Sequence, residues 1–146
     1  MDRTLPDLAA TEALAAALAA RVRSGDAILL EGDLGAGKTA FARAFLRALT
    51  NDPTLDVPSP TFTLVQTYDT PKGQVHHYDL WRLTGPGAMT ELGWDEALED
   101  IVLVEWPDRL GTLNPPHALT LTLRAAPDET RDITIQGWPG RLEKLP

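Results

Sequence analysis

The chain has 146 residues, 43% hydrophobic and 23% charged, with no cysteine and a formal net charge of −8. That length suits one domain, over residues 1–146, with a real core, and the composition is globular rather than disordered. Zero cysteines exclude a disulfide scaffold, thiolate–zinc and iron–sulfur sites and cysteine catalysis, while the acidic balance argues against a broad nucleic-acid footprint, which needs clustered Lys and Arg. Met1–Pro6 has no basic-then-apolar leader pattern, and no run approaches the roughly 18 apolar residues of a membrane span. The expectation is a soluble, cytoplasmic domain.

The first helix is expected from Asp7 to Arg23. Pro6 suits its first turn, Asp7 its positive end, and Leu14, Leu18 and Val22 form an i, i+4 stripe. Ser24-Gly25-Asp26 stops it, and Ala27-Ile28-Leu29-Leu30 reads as a fully buried strand. A Gly-rich segment, Gly32 to Gly37, leads into a helix from Lys38 to Leu49 with Phe41, Phe45 and Leu49 on one face. Pro53, Pro58 and Pro60 mark a loop. Phe62–Tyr68 and Gln74–Asp79 read as a hairpin, Glu91–Leu98 as a short helix and Ile101–Val104 as a second buried strand. Ala118–Leu123 and Asp132–Gln136 complete the pattern as an antiparallel pair. The whole is a mixed α/β architecture, with the first and penultimate apolar runs as sheet neighbours.

The segment Gly32-Asp33-Leu34-Gly35-Ala36-Gly37-Lys38-Thr39 fits the phosphate-loop pattern G-x-x-x-x-G-K-[ST] at every fixed position. Glycines let the backbone wrap phosphates with inward N–H groups, and the following helix start adds positive dipole. Lys38 is expected to reach the β- and γ-phosphates and the Thr39 hydroxyl to ligate Mg²⁺. A chance match in a chain of average composition is on the order of half a percent.

A phosphate loop needs acids for the metal and the attacking water. Asp79 closes Val75–Tyr78 and Glu105 closes Ile101–Val104, the place where P-loop proteins hold metal-binding carboxylates; either alone also fits a turn cap. Thr61 is a candidate switch hydroxyl or else an exposed threonine where a strand begins. Trp106 reads as core or as a nucleotide contact. His76 and His77 face opposite sides of a strand and cannot share a metal, so one is a buried, hydrogen-bonded histidine.

Charge is uneven. Residues 1–50 hold six acids and six bases, whereas residues 51–146 hold 15 acids and seven bases. Glu91, Asp95, Glu96, Glu99 and Asp100 form either a solvated helix face or an acidic docking patch. No N-K-x-D guanine motif occurs, and a lid for a kinase acceptor would have to rest on Arg82 and Arg109.

Four blocks occur in order: Glu31–Thr39, Pro58-Ser59-Pro60-Thr61-Phe62-Thr63-Leu64-Val65, His77-Tyr78-Asp79-Leu80-Trp81-Arg82-Leu83 and Val104-Glu105-Trp106-Pro107. Together they strongly resemble the TsaE (YjeE) family of small bacterial ATPases of tRNA threonylcarbamoyladenosine biosynthesis. The resemblance implies a P-loop NTPase-like three-layer fold with a mixed parallel/antiparallel central sheet. It implies ATP and Mg²⁺ as ligands, slow hydrolysis and work with the TsaD–TsaB pair, which modifies adenosine 37 of tRNAs reading codons that begin with A. Carried over by position, Gly35, Ala36, Gly37, Lys38, Thr39 and Ala40 would cradle the phosphates, with Thr39 and Glu105 at the metal. Asp79 would be a second acid near the metal or the water, and Thr61 would sit in a switch-like loop. Thr11 and Arg131 would contact the nucleotide. Contact with tRNA would be indirect, and the chain alone a monomer. A P-loop small-molecule kinase is the alternative, and a module in which ATP orders Asn51–Thr63 for docking overlaps with the first reading.

Overall fold

Ala27–Glu31 (β2) and Ile101–Glu105 (β5) lie side by side and parallel at the centre of a seven-stranded sheet in a computed structural model that describes residues 1–146. Every residue of both strands is buried except Glu31. Strands as uniformly apolar as these require cover on both faces. On one face pack helices α1 (Leu8–Arg21) and α2 (Lys38–Thr50), whose Leu14, Leu18, Phe41 and Phe45 join Ile28, Leu30, Ile101 and Leu103. The other face carries Ala27, Leu29, Val102 and Val104. Two 3-10 helices, Pro86–Leu92 and Pro107–Leu113, and the single-turn helix α3 (Trp94–Ala97) cover it, with Met89, Trp94 and Leu110 buried. These are the three expected layers.

Around the central pair, β4 (Gly73–Asp79) joins β5 in parallel and β6 (Leu119–Ala125) joins β2 in parallel. The outer strands β3 (Val65–Thr70), β7 (Arg131–Gln136) and β1 (Asp2–Leu5) pair antiparallel, giving the order β1-β7-β6-β2-β5-β4-β3. The sheet is therefore mixed, as expected, and β2 does neighbour β6. No helix is long and apolar enough to cross a membrane.

Local chemistry sets several boundaries differently from the sequence pattern. Asp7 is the N-cap of α1, extended and accepting from the Ala10 amide at 2.8 Å, so Pro6 lies outside the helix. The helix ends two residues early, and Lys72 in the β3–β4 turn donates to the carbonyls of Ala19, Ala20 and Val22 at 3.0, 2.7 and 3.1 Å. A cation at the negative helix end ties the hairpin to α1. Strand β3 begins at Val65 rather than Phe62, because Leu64 adopts φ 69° and its amide returns to the Pro60 carbonyl at 2.7 Å. The expected helix Glu91–Leu98 is divided at Gly93, whose φ of 71° stops one turn and starts the next. Strand β1 has no apolar alternation to reveal it, and only Leu5 is buried.

Phe45 is fully buried and Phe62 is 81% exposed. Phe45→Ala should therefore cost about 3–5 kcal/mol in urea denaturation. Phe62→Ala should stay within about 0.5 kcal/mol of the parent.

Candidate functional site

The turn from β2 into α2 is built from conformations that favour glycine. Gly32, Gly35 and Gly37 have φ of 146°, 79° and 105°. At Gly32 a Cβ would stand 2.5 Å from the Leu123 carbonyl oxygen of β6, so the sheet itself demands glycine there. Gly37 is the N-cap of α2 and offers no side chain, which leaves the first amides of the helix available to an anion.

Parallel register brings acids to this turn. Leu30 at the end of β2 is level with Glu105 at the end of β5, and Asp79 at the end of β4 is level with Glu105. The carboxyl ends of a parallel sheet are where an open α/β fold leaves a crevice. Here it is a cavity of about 370 Å³, lined by the loop and α2 on one side and by Ser59, Thr61, Asp79, Trp81, Glu105 and Trp106 on the other.

Both acids are almost fully buried and fully engaged. Glu105 is 2% exposed; its Oε1 accepts from Thr39 Oγ1 at 2.9 Å and its Oε2 from His77 Nε2 at 2.7 Å. Asp79 is 3% exposed; its Oδ2 accepts from Ser59 Oγ and Thr61 Oγ1, both at 3.0 Å, and its Oδ1 from the Trp81 amide at 3.0 Å. Lys38 Nζ donates to the carbonyls of Gly32 and of Asp33, the latter at 2.9 Å, and lies 4.0 Å from the centroid of Trp106. Burial lowers the Lys38 pKa from its ordinary value, opposed by the negative charges of Glu105, Asp79 and Asp33. Trp106, at φ 60°, packs tilted against Trp81 with ring centroids 4.4 Å apart.

Of the residues singled out in the sequence, Gly35, Gly37, Lys38, Thr39, Ala40, Thr61, Asp79 and Glu105 all line this one cavity. Gly32 shapes the turn from behind, and Ala36 is buried beneath it. Thr11 and Arg131 line a second cavity of about 180 Å³, which shares Gly37 and Ala40 with the first, so the two adjoin. Trp106 is a wall of the site as well as a packing residue.

Three contributors carried no role in the sequence reading. Ser59 shares Asp79 with Thr61, and Trp81 closes the far wall. His77 is the buried, hydrogen-bonded histidine, and its partner is Glu105. The signal for it is period-two alternation: His77 stands two residues before Asp79 and shares its face. His76 faces the other way, towards Thr67 and Asp100 at 3.1 and 2.9 Å. Arg82 rests over Phe62 at 4.7 Å and Arg109 lies 5.8 Å from the Trp81 ring, so both potential acceptor-lid cations stack on aromatics.

The donors fit a magnesium ion. A threonine hydroxyl beside a carboxylate offers hard oxygens, and no group of three or more His, Cys, Asp or Glu is gathered into an all-protein cage. Magnesium characteristically takes one or two protein oxygens and completes its shell with water and phosphate.

Residues 5–133 match the family model described as threonylcarbamoyl adenosine biosynthesis protein TsaE. Curated relatives bearing the name tRNA threonylcarbamoyladenosine biosynthesis protein TsaE include one from Rickettsia felis, 39% identical over 126 residues, covering 86% of this chain and 73% of the relative. Another, from Bacillus subtilis, is 36% identical over 137 residues, covering 92% and 84%. The crystal structure of YdiB from Bacillus subtilis superposes with a TM-score of 0.76 at 31% identity, covering 99% of this chain and 90% of that one.

The two hydroxyl donors to Asp79 hold the 59–64 segment against the cavity. Hydrogen bonds to a charged acceptor contribute about 1.5–3 kcal/mol each. In Ser59→Ala/Thr61→Val, hydrogen exchange of the Leu64 amide should therefore accelerate by at least about tenfold. An unchanged rate would mean that the segment is held elsewhere.

Proposed function

The chain belongs to the TsaE family of threonylcarbamoyl adenosine biosynthesis proteins, and from that premise we propose that it acts there as a Mg²⁺-dependent ATPase. One observation carries the reading: Lys38 and Thr39 at the start of α2, Asp79 at the end of β4 and Glu105 at the end of β5 converge on a single cavity at the mouth of a phosphate-loop turn. The triphosphate lies along Gly35–Ala40, bound by backbone amides and the start of α2. Lys38 exchanges its two carbonyl acceptors for phosphate oxygens. Thr39 and Glu105 hold Mg²⁺, which when bound neutralises charge on the β- and γ-phosphates.

Asp79 is an acceptor without a lysine or arginine partner, suited to orienting a water for in-line attack. Its bonds to Ser59 and Thr61 make that segment responsive to a γ-phosphate, which competes for the same hydroxyls. The adjoining cavity, with Thr11 and Arg131, takes the nucleoside end. Catalysis is positioning and charge neutralisation, with no covalent intermediate on the protein.

The family and the charge support the reading of the partner. The TsaD–TsaB pair is the working partner, tRNA is reached only through it, and the chain works in the cytoplasm as a monomer on its own. Glu91, Asp95, Glu96 and Glu99 are exposed and free for a basic surface, whereas Asp100 is engaged by His76.

Lys38→Ala and Thr39→Ala should each lower phosphate release from Mg²⁺·ATP by at least about 100-fold, assayed without any acceptor. Full activity in either variant would remove the site assignment, and phosphate transfer that requires an added small-molecule acceptor would mark a kinase instead. Glu91→Gln/Asp95→Asn/Glu96→Gln/Glu99→Gln should weaken docking to the TsaD–TsaB pair, most at low salt, and leave ATP binding intact. Unchanged docking would return these acids to a solvated surface.

A further inference from the structure

His77 is fully buried, on the face of β4 that packs beneath α1 and α2, with Val75 two residues before it and Leu103 opposite it on β5. An imidazole in an apolar layer is costly unless its polar atoms are used. Only one is used: Nε2 meets Glu105 Oε2 at 2.7 Å, while Nδ1 is buried without a partner. A hydrogen on Nδ1 would be stranded, and a carboxylate oxygen accepts, so the hydrogen sits on Nε2. For packing alone, a leucine would fill this space without an orphaned nitrogen. The bond to Glu105 is what the imidazole adds.

Glu105 divides its two oxygens. Oε2 is held from the core side by His77, and Oε1 faces Thr39 at the cavity. The terminal torsion of a glutamate is soft, with broad minima. A donor fixed in the sheet and aimed at one oxygen removes that freedom and leaves the other oxygen presented to the site. Outer hydrogen-bond partners of metal-binding carboxylates act in this way.

We propose that His77 is a positioning residue for the Mg²⁺ site: its Nε2–H locks the Glu105 carboxylate so that Oε1 stays beside the Thr39 hydroxyl for the ion. This rests on the reading of Glu105 as a metal holder, and it assigns His77 no contact with nucleotide or metal.

The test is binding of Mn²⁺ to the full chain in the presence of ADP, followed by electron paramagnetic resonance, with ADP affinity in EDTA as a measure of an intact nucleotide site. His77→Leu should weaken Mn²⁺ binding by about 10–100-fold and leave ADP affinity in EDTA unchanged. His77→Gln, whose side-chain amide can donate from the same place, should recover much of that loss. In a Glu105→Gln background, His77→Leu should add less than about twofold, because coupled residues are not additive. If His77→Leu does not fold, His77→Asn, too short to donate from the Nε2 position, must show the same weakening.

Wild-type Mn²⁺ affinity in a folded His77→Leu or His77→Asn protein would overturn the proposal. So would a His77→Gln protein no better than either, or a full loss in the Glu105→Gln background. Glu105→Gln separates the two readings. If it leaves Mn²⁺ affinity unchanged, the metal assignment falls and takes the proposal with it. If it weakens binding while His77→Leu does not, only the role of His77 falls.

Discussion

Parallel pairing of β2, β5 and β4 in a single register is the constraint on which the site depends. Strands in a parallel ladder end together only if their partners do, and here Leu30, Glu105 and Asp79 are brought level. The phosphate-loop turn leaves from the first of these ends and the acids sit at the other two. A slip of one residue along β4 or β5 would turn Asp79 or Glu105 to the opposite face, beneath the 3-10 layer. The burial of Ile101–Val104 on both faces prevents that slip, because any other register exchanges apolar side chains between two closed cores. Core packing and site geometry are thus one requirement.

The same arrangement explains how two buried carboxylates are tolerated so close together. Neither is left to itself: Glu105 has two donors and Asp79 has three, while Lys38 supplies a nearby positive charge. Buried charge is bearable when hydrogen-bonded and costly otherwise. The donors come from α2, β4, the Ser59–Thr61 segment and the chain just after β4, so the acids stitch four parts of the structure to one point. Rearrangement of any one is felt by the others.

Lys38 and the aromatic pair Trp81 and Trp106 form a second linked unit. The Lys38 ammonium lies over the Trp106 ring while it bonds loop carbonyls, and Trp106 leans on Trp81, which carries Arg109 over its ring. Phe62, Leu34 and Trp81 remain exposed around the mouth. The acids of Glu91–Glu99 belong instead to the layer on the opposite face of the sheet from α2.

Much was legible in the chain alone because it depends on local rules. A phosphate-loop pattern between an apolar run and an amphipathic helix defines its own turn, and the acids at the ends of Val75–Tyr78 and Ile101–Val104 are visible as breaks in apolar runs. Fold class, the cradle and the two acids follow from spacing. Partners across the sheet do not. That Glu105 would share its oxygens between Thr39 and His77, that Ser59 would join Thr61 on Asp79, and that Lys72 would close α1 from another hairpin are products of register and distance through space. So are the short edge strand β1 and the break at Gly93, where tertiary contacts outweigh weak local preference. Sequence determined which groups the protein carries and in which turn they begin; tertiary structure decided which of them meet, because only paired strands convert positions far apart in the chain into neighbours at hydrogen-bond distance.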